Sequence, residues 1–243
     1  MSSACIPATS ENDQAAALRV GGLTPMTTID FPDALSAVIF TQGCNLRCQY
    51  CQNTHLLPTR SNEQLSWQDV EHFLQQRRGL LDAVVFSGGE PTLQKALLPA
   101  IRSVRTLGFQ TGMHTAGTSP SRFSQVLAHL DWVGFDIKAL PEDYREITGT
   151  ASGDACWRSL DILLDSGTNH EVRTTVHWQL LPPEKLISLA EQLYQAGVRR
   201  FVLQNCRTQH CFNTDISPSW LDEQQKQAIY RELNALFPEF STR

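Results

Sequence analysis

Short, mostly apolar runs rich in Val, Ile, Phe and Thr recur along the chain at residues 35–41, 83–87, 110–115, 132–138, 172–177 and 201–204. Runs of this length, bounded by turn residues, predict six buried strands. Between them the apolar positions shift to helical spacing. Ser66, followed three residues later by Asp69, resembles a capping box and predicts a helix through Gln76. Leu97, Ile101, Val104 and Leu107 recur at intervals of three and four, and Gly108 is a natural stop. A run from Cys156 to Asp165 ends before Gly167. Pro183 suits the first turn of a helix that continues to Ala196 and stops at Gly197.

Strand–helix alternation repeated about six times implies parallel strands joined by right-handed crossovers. Six units fall short of the eight of a closed barrel. The expected fold class is α/β, a partial (βα)6 TIM-like barrel of parallel strands that is open on one side. Its chemistry should gather at the C-terminal strand ends. Residues 1–20 show no periodicity and read as a flexible leader. No low-complexity tract or repeat interrupts 21–243, which reads as one core domain with a C-terminal helix.

The densest chemistry follows the first predicted strand, in the run Gln42-Gly43-Cys44-Asn45-Leu46-Arg47-Cys48-Gln49-Tyr50-Cys51. Cys44, Cys48 and Cys51 lie close enough to wrap one metal centre, and Gly43 permits a tight backbone entry. Three thiolates are one ligand short of a fully ligated [4Fe–4S] cluster, which leaves one iron open to a small molecule. Two other readings compete. Free cysteines often pack as small hydrophobes, and His55 would complete a Cys3His zinc site.

Spaced as C-x3-C-x2-C with Tyr50 before the last cysteine, this run resembles the signature of the radical S-adenosylmethionine superfamily. Ser87-Gly88-Gly89-Glu90-Pro91, one strand–helix unit later, looks like the same family's Gly-Gly-Glu-Pro motif. A finer resemblance covers Gly22-Leu23-Thr24, Thr28-Ile29-Asp30-Phe31-Pro32, Phe40-Thr41-Gln42-Gly43, Gly134-Phe135-Asp136-Ile137-Lys138, Ile147-Thr148-Gly149 and Glu171-Val172-Arg173-Thr174. Together these are similar to the activating proteins of anaerobic ribonucleoside-triphosphate reductase.

The resemblance implies an oxidoreductase in which Cys44, Cys48 and Cys51 hold a [4Fe–4S] cluster. It implies that Tyr50, Gln52, Gly88, Gly89, Glu90, Asp136 and Lys138 contact S-adenosylmethionine. The two glycines would let backbone approach the ligand, and Glu90 would accept from its amino group. Tyr50 would meet the adenine, and Asp136 and Lys138 the ribose or carboxylate. The implied partners are anaerobic ribonucleotide reductase, on which a glycyl radical is formed, and an electron donor such as flavodoxin or ferredoxin. A radical enzyme acting on a small metabolite and a zinc-stabilised binding module without catalysis are the alternatives.

The pattern departs at Met113-His114-Thr115-Ala116-Gly117, where related activases commonly carry Leu-Asp-Thr-Asn-Gly. The family's monovalent-cation site is in doubt here, since His114 is a poor ligand for a hard cation. His114 is either a hydrogen-bond donor to the cofactor or a structural residue. Arg173, if it points into the barrel, needs a charged partner. Cys206, His210 and Cys211 follow the last predicted strand and read as a loop with incidental thiols rather than a redox pair. Cys156 reads as packing, and Cys5 as isolated.

Composition narrows the setting. The net charge of −5 argues against nucleic acid as a partner. No apolar run reaches the ~20 residues of a membrane span. The first 13 residues contain neither a basic residue nor an apolar core, so they do not read as a secretory signal. A cytoplasmic location is expected, and there the seven cysteines read as metal ligands or thiols rather than disulfides.

Overall fold

A computed structural model describes residues 11–243. Its centre is one eight-stranded sheet in sequential order. The strands are β1 (Val20–Thr27), β2 (Ser36–Thr41), β3 (Ala83–Gly88), β4 (Gln110–Thr115), β5 (Trp132–Asp136), β6 (His170–Val176), β7 (Arg200–Asn205) and β8 (Glu239–Thr242). From β2 to β8 every pairing is parallel, while β1 runs antiparallel to β2. The six expected strands are β2 to β7. The sheet curls but does not close, as an incomplete set of βα units requires.

Helices α1 (Glu11–Ala15), α2 (Trp67–Gln76), α3 (Leu97–Thr106), α4 (Pro120–Leu127), α5 (Tyr144–Thr148), α6 (Gly153–Ser166), α7 (Pro183–Ala196) and α8 (Glu223–Leu236) complete the chain. Ser66 caps α2 by accepting from the Asp69 amide at 3.1 Å. Gly167 and Gly197 end α6 and α7 in the left-handed conformation. The main core lies between the sheet and these helices. Phe86, Met113, Phe135, Phe201 and Phe237 are fully buried there.

One expectation of the sequence changes, and one lies outside the described residues. Cys5 and the first half of the leader lie outside the described residues. Within 11–20 the chain is packed: Ala15, Leu18 and Val20 are buried in the main core, and α1 lies against α3. Residues 28–32 lead from β1 into β2. Because Thr27 pairs with Ser36 at the start of β2, they occupy the N-terminal ends of the parallel strands. There Phe31 plugs the barrel against Trp132, with ring centroids 5.8 Å apart. Among the described residues no helix is long and apolar enough to cross a membrane.

Candidate functional site

The cysteine loop leaves the C-terminal end of β2 and is held from four directions. Gly43 turns it with a φ of +103°. The Gln42 side chain donates to the His55 and Pro58 carbonyls at 2.9 and 2.7 Å. The end of α5 accepts from the loop, with Arg47 N to Thr148 O at 2.8 Å and Gln49 N to Ile147 O at 3.0 Å. A strap after β7 then donates to it, with Phe212 N to Cys51 O at 2.8 Å and Asn213 N to Gln49 O at 2.9 Å. A loop so tied holds its side chains in fixed directions.

All ten residues singled out in the sequence line one cavity of about 480 Å³ at these strand ends: Cys44, Cys48, Cys51, Tyr50, Gln52, Gly88, Gly89, Glu90, Asp136 and Lys138. That volume falls in the ~300–1,000 Å³ range of small-molecule sites. Burial, with a contribution from Glu90, pushes the Cys44 thiol up to about 12. Burial likewise pushes Cys48 up to about 11, against the pull of Lys138. Ligation needs thiolates, so a strongly cationic centre must offset this desolvation. Among the described residues, no three Cys, His, Asp or Glu side chains converge on a single metal ion. His55, the fourth ligand that a Cys3His zinc site would need, is not among the described residues that line this cavity. The buried Tyr50 hydroxyl has no hydrogen-bond partner among the described residues, an orphan that a ligand in this cavity can satisfy.

Lys138 Nζ lies 3.4 Å from the Asp136 carboxylate. Desolvation opposes its charge, but Asp136, Tyr50 and Cys48 outweigh it and hold the ammonium above its ordinary range. The cavity thus offers a fixed cation–anion pair at the end of β5.

The glycine motif has a different physical reason from the expected one. A Cβ on Gly89 would overlap the Gly43 carbonyl oxygen, and one on Gly88 would meet the Thr41 backbone at 2.5 Å. The two glycines let the β3 turn press against the cysteine loop. Glu90 is likewise turned inward. Its Oε1 accepts from Thr92 N at 3.1 Å and from the Thr92 and Thr115 hydroxyls, both at 2.5 Å. Its Oε2 accepts from Ala116 N at 2.9 Å. One oxygen is saturated, so the carboxylate mainly ties the end of β4 to the β3 turn and keeps one free lone pair on Oε2. Thr115 and Ala116 also line the cavity; the sequence marks their stretch only as a departure from the family pattern, and the Thr at the end of β4 is its one sign of a role in the site.

His114 faces the barrel interior. Its Nε2 is 2.9 Å from the Asp30 carbonyl, which only accepts, so this nitrogen carries the proton. Burial and the nearby Arg173 hold its pKa well below the usual value, leaving the ring neutral. Arg173 also points inward, and its expected partner is Glu171, 2.7 Å from Nε. Cys206 lines the cavity and its thiol contacts Cys211. Cys211 in turn donates to Arg207 O at 3.3 Å. Cys156 is fully buried in the core.

Residues 38–193 match the family model described as the radical SAM superfamily. A Methanocaldococcus jannaschii protein, provisionally named a glycyl-radical enzyme activating enzyme, is 31% identical over 71% of this chain and 74% of its own length. The pyruvate formate-lyase-activating enzyme of Clostridium pasteurianum is 29% identical over 68% of this chain and 69% of its own. Among solved structures, Streptococcus suis SuiB bound to S-adenosylmethionine superposes with a TM-score of 0.67 at 18% identity, over 85% of this chain and 49% of SuiB. This chain thus spans about half of SuiB. QueE from Escherichia coli gives a TM-score of 0.60 at 16% identity, over 97% of this chain and 98% of its own. The chain belongs to the radical SAM superfamily, whose members use a [4Fe–4S] cluster and S-adenosylmethionine.

Proposed function

We propose that this enzyme activates anaerobic ribonucleotide reductase by generating a glycyl radical on it. The observation that carries the reading is the loop bearing Cys44, Cys48 and Cys51 at the strand ends, facing a cavity shared with Gly88–Gly89–Glu90, Asp136 and Lys138. Relatives named for glycyl-radical activation support the reaction class. The motif pattern from Gly22 to Thr174 favours the reductase over other glycyl-radical enzymes.

The chemistry supplied by the bound cluster and cofactor is reductive scission of a sulfonium C–S bond, giving a carbon radical able to take hydrogen from glycine. The chain's residues do the placing. Cys44, Cys48 and Cys51 would hold the cluster. Lys138 would pair with the cofactor carboxylate, and Asp136 would accept from its ribose. Tyr50, whose buried hydroxyl has no partner among the described residues, would meet the adenine, and Gln52 is positioned by donating to Arg207 O at 2.6 Å. Electrons come from a flavodoxin- or ferredoxin-type donor. The unclosed side of the sheet gives a glycine-bearing loop access.

The test is electron paramagnetic resonance of the candidate reductase after anaerobic incubation with reduced enzyme and S-adenosylmethionine. A glycyl doublet is expected. A doublet on a pyruvate formate-lyase but not on the reductase would change the target. No doublet on either, with cofactor cleavage confirmed in the same tube, would favour a small-metabolite substrate.

Two further outcomes are expected. Lys138→Met should weaken S-adenosylmethionine binding about tenfold, equivalent to ~1.4 kcal/mol, because one charge contact is lost and Asp136 is left unpaired. Calorimetric titration of the reconstituted protein measures this, and unchanged affinity would remove Lys138 from the site. Cys206→Ala should leave cluster iron and cleavage rate near those of the parent, because its thiol partner is Cys211. Loss of the cluster iron would make Cys206 part of the centre.

A further inference from the structure

The chain that carries Asp136 and Lys138 leaves the sheet just beyond β5. Ile137 still continues the ladder, its amide donating to Arg173 O at 3.0 Å. From there each residue is held by a side chain from a different element. The Thr174 hydroxyl of β6 donates to Ile137 O at 2.9 Å. The Lys138 amide has no strand partner and donates instead to the Tyr144 hydroxyl, at the start of α5, at 3.2 Å. The Trp157 indole of α6 donates to Ala139 O at 3.1 Å. Three successive residues are thus gripped from three sides, and the middle one carries the ammonium that lines the cofactor cavity.

Tyr144 is fully buried and does not line that cavity, so it cannot touch a ligand there. Its oxygen accepts from Lys138 N, and its own proton goes to the sulfur of Cys156, equally buried in α6. Burial keeps both groups protonated, holding the phenol well above its ordinary value and pushing the thiol up to about 12. The phenol is therefore a fixed, neutral bridge from α6 to the strand end. Cys156, which the sequence presents as packing, gives that bridge its footing. A buried amide needs such an acceptor, since none is supplied by water. A lysine side chain is a flexible four-carbon stem, so the direction of its ammonium depends on a fixed backbone at its root. Here that ammonium stands 3.4 Å from the Asp136 carboxylate.

We propose that Tyr144 is a positioning residue for S-adenosylmethionine, holding the Lys138 backbone so that the ammonium meets the cofactor carboxylate. The inference rests on the reading of Lys138 given above. Calorimetric titration of the cluster-reconstituted protein tests it without turnover, through a double-mutant cycle. Tyr144→Phe should weaken S-adenosylmethionine binding about fivefold, a coupling of the size expected between residues in contact. Made on top of Lys138→Met, the same change should weaken binding no further, because the group that Tyr144 aims is gone. A general loosening of the core would instead add its loss to that of Lys138→Met. Cys156→Ala leaves the hydroxyl but removes its sulfur partner. It should weaken binding less than Tyr144→Phe and likewise add nothing to Lys138→Met, and its cycle decides the matter if Tyr144→Phe does not fold. Tyr230→Phe, in α8, should bind as the parent does. Iron content is measured alongside, and a folded Tyr144→Phe protein that cannot hold its cluster would overturn the proposal, since its effect would then bypass Lys138. Parent affinity in Tyr144→Phe, or a loss that adds in full to that of Lys138→Met, would overturn it alone. Parent affinity in Lys138→Met would overturn the reading of Lys138 and this inference with it.

Discussion

A Cys48→Ala protein, reconstituted anaerobically with iron and sulfide, is expected to cleave no S-adenosylmethionine and to hold far less than one cluster of iron per chain. The three-cysteine count leaves no reserve: with one ligand gone, two irons of the cubane have no protein thiolate. Cys48 is also the deepest of the three, buried with Tyr50 and Leu46 in the main core. Nearby thiols do not substitute, since Cys206 contacts Cys211 and Cys156 is packed within α6. Backbone contacts to α5 and to the strap after β7 hold the loop independently of the Cys48 side chain, so the variant should fold, which circular dichroism checks. Iron content, visible absorbance and methionine release are the measurements. A folded Cys48→Ala protein with full cleavage would remove these cysteines from the centre.

How far the sequence foretells the molecule depends on the distance over which each feature is determined. Strands β2 to β7 are legible because each is a dense apolar run with its own boundaries, buried along at least half of its length. Strand β1 is hidden because its segment, VGGLTPMT, carries two glycines and a proline and lies half exposed. Strand β8 has four residues, none buried. Helices α2, α3, α6 and α7 announce themselves through caps and glycine stops, which are local. The site is legible as a list of residue types for the same reason, since the cysteines and the glycine motif are short-range patterns. Its supports are not. Gln94 joins Arg19 and Gln42 by bonds spanning 75 and 52 residues, and Thr148 holds Arg47 across about a hundred positions of chain. Nothing near either residue in sequence marks that role. Residues 28–32 are legible as a resemblance, but only the antiparallel pairing of β1 puts them at the far end of the barrel.

Gly89→Ala is expected to lose cluster and cofactor together, not cofactor alone. Sequence pattern suggests that this glycine clears space for the ligand, whereas its Cβ direction leads into protein. An added methyl group would overlap the Gly43 carbonyl oxygen and approach the Leu56 carbonyl at 3.2 Å. Both are backbone atoms, so no side chain can swing aside. The Gly43 carbonyl is also the acceptor for Glu90 N at 2.9 Å, beside the Gly89 N to Thr41 O bond of the same length. Separating the two segments therefore strains the bonds that join the β3 turn to the residue preceding Cys44. Overpacking of this kind costs ~1–3 kcal/mol, which corresponds to about 2–4 °C in Tm for each kcal/mol in a chain of this size. The larger effect should be on the site, because the strain falls on the peptide leading into a ligand. Gly22→Ala serves as the control, since its nearest contact would be Phe40 at an unstrained 3.8 Å. Anaerobic iron content and calorimetric S-adenosylmethionine titration are compared for both variants. Reduced iron with Gly89→Ala and parent values with Gly22→Ala are expected. A Gly89→Ala protein that keeps its full cluster but loses cofactor affinity would return this glycine to the ligand, and one that keeps both would show that the loop can yield.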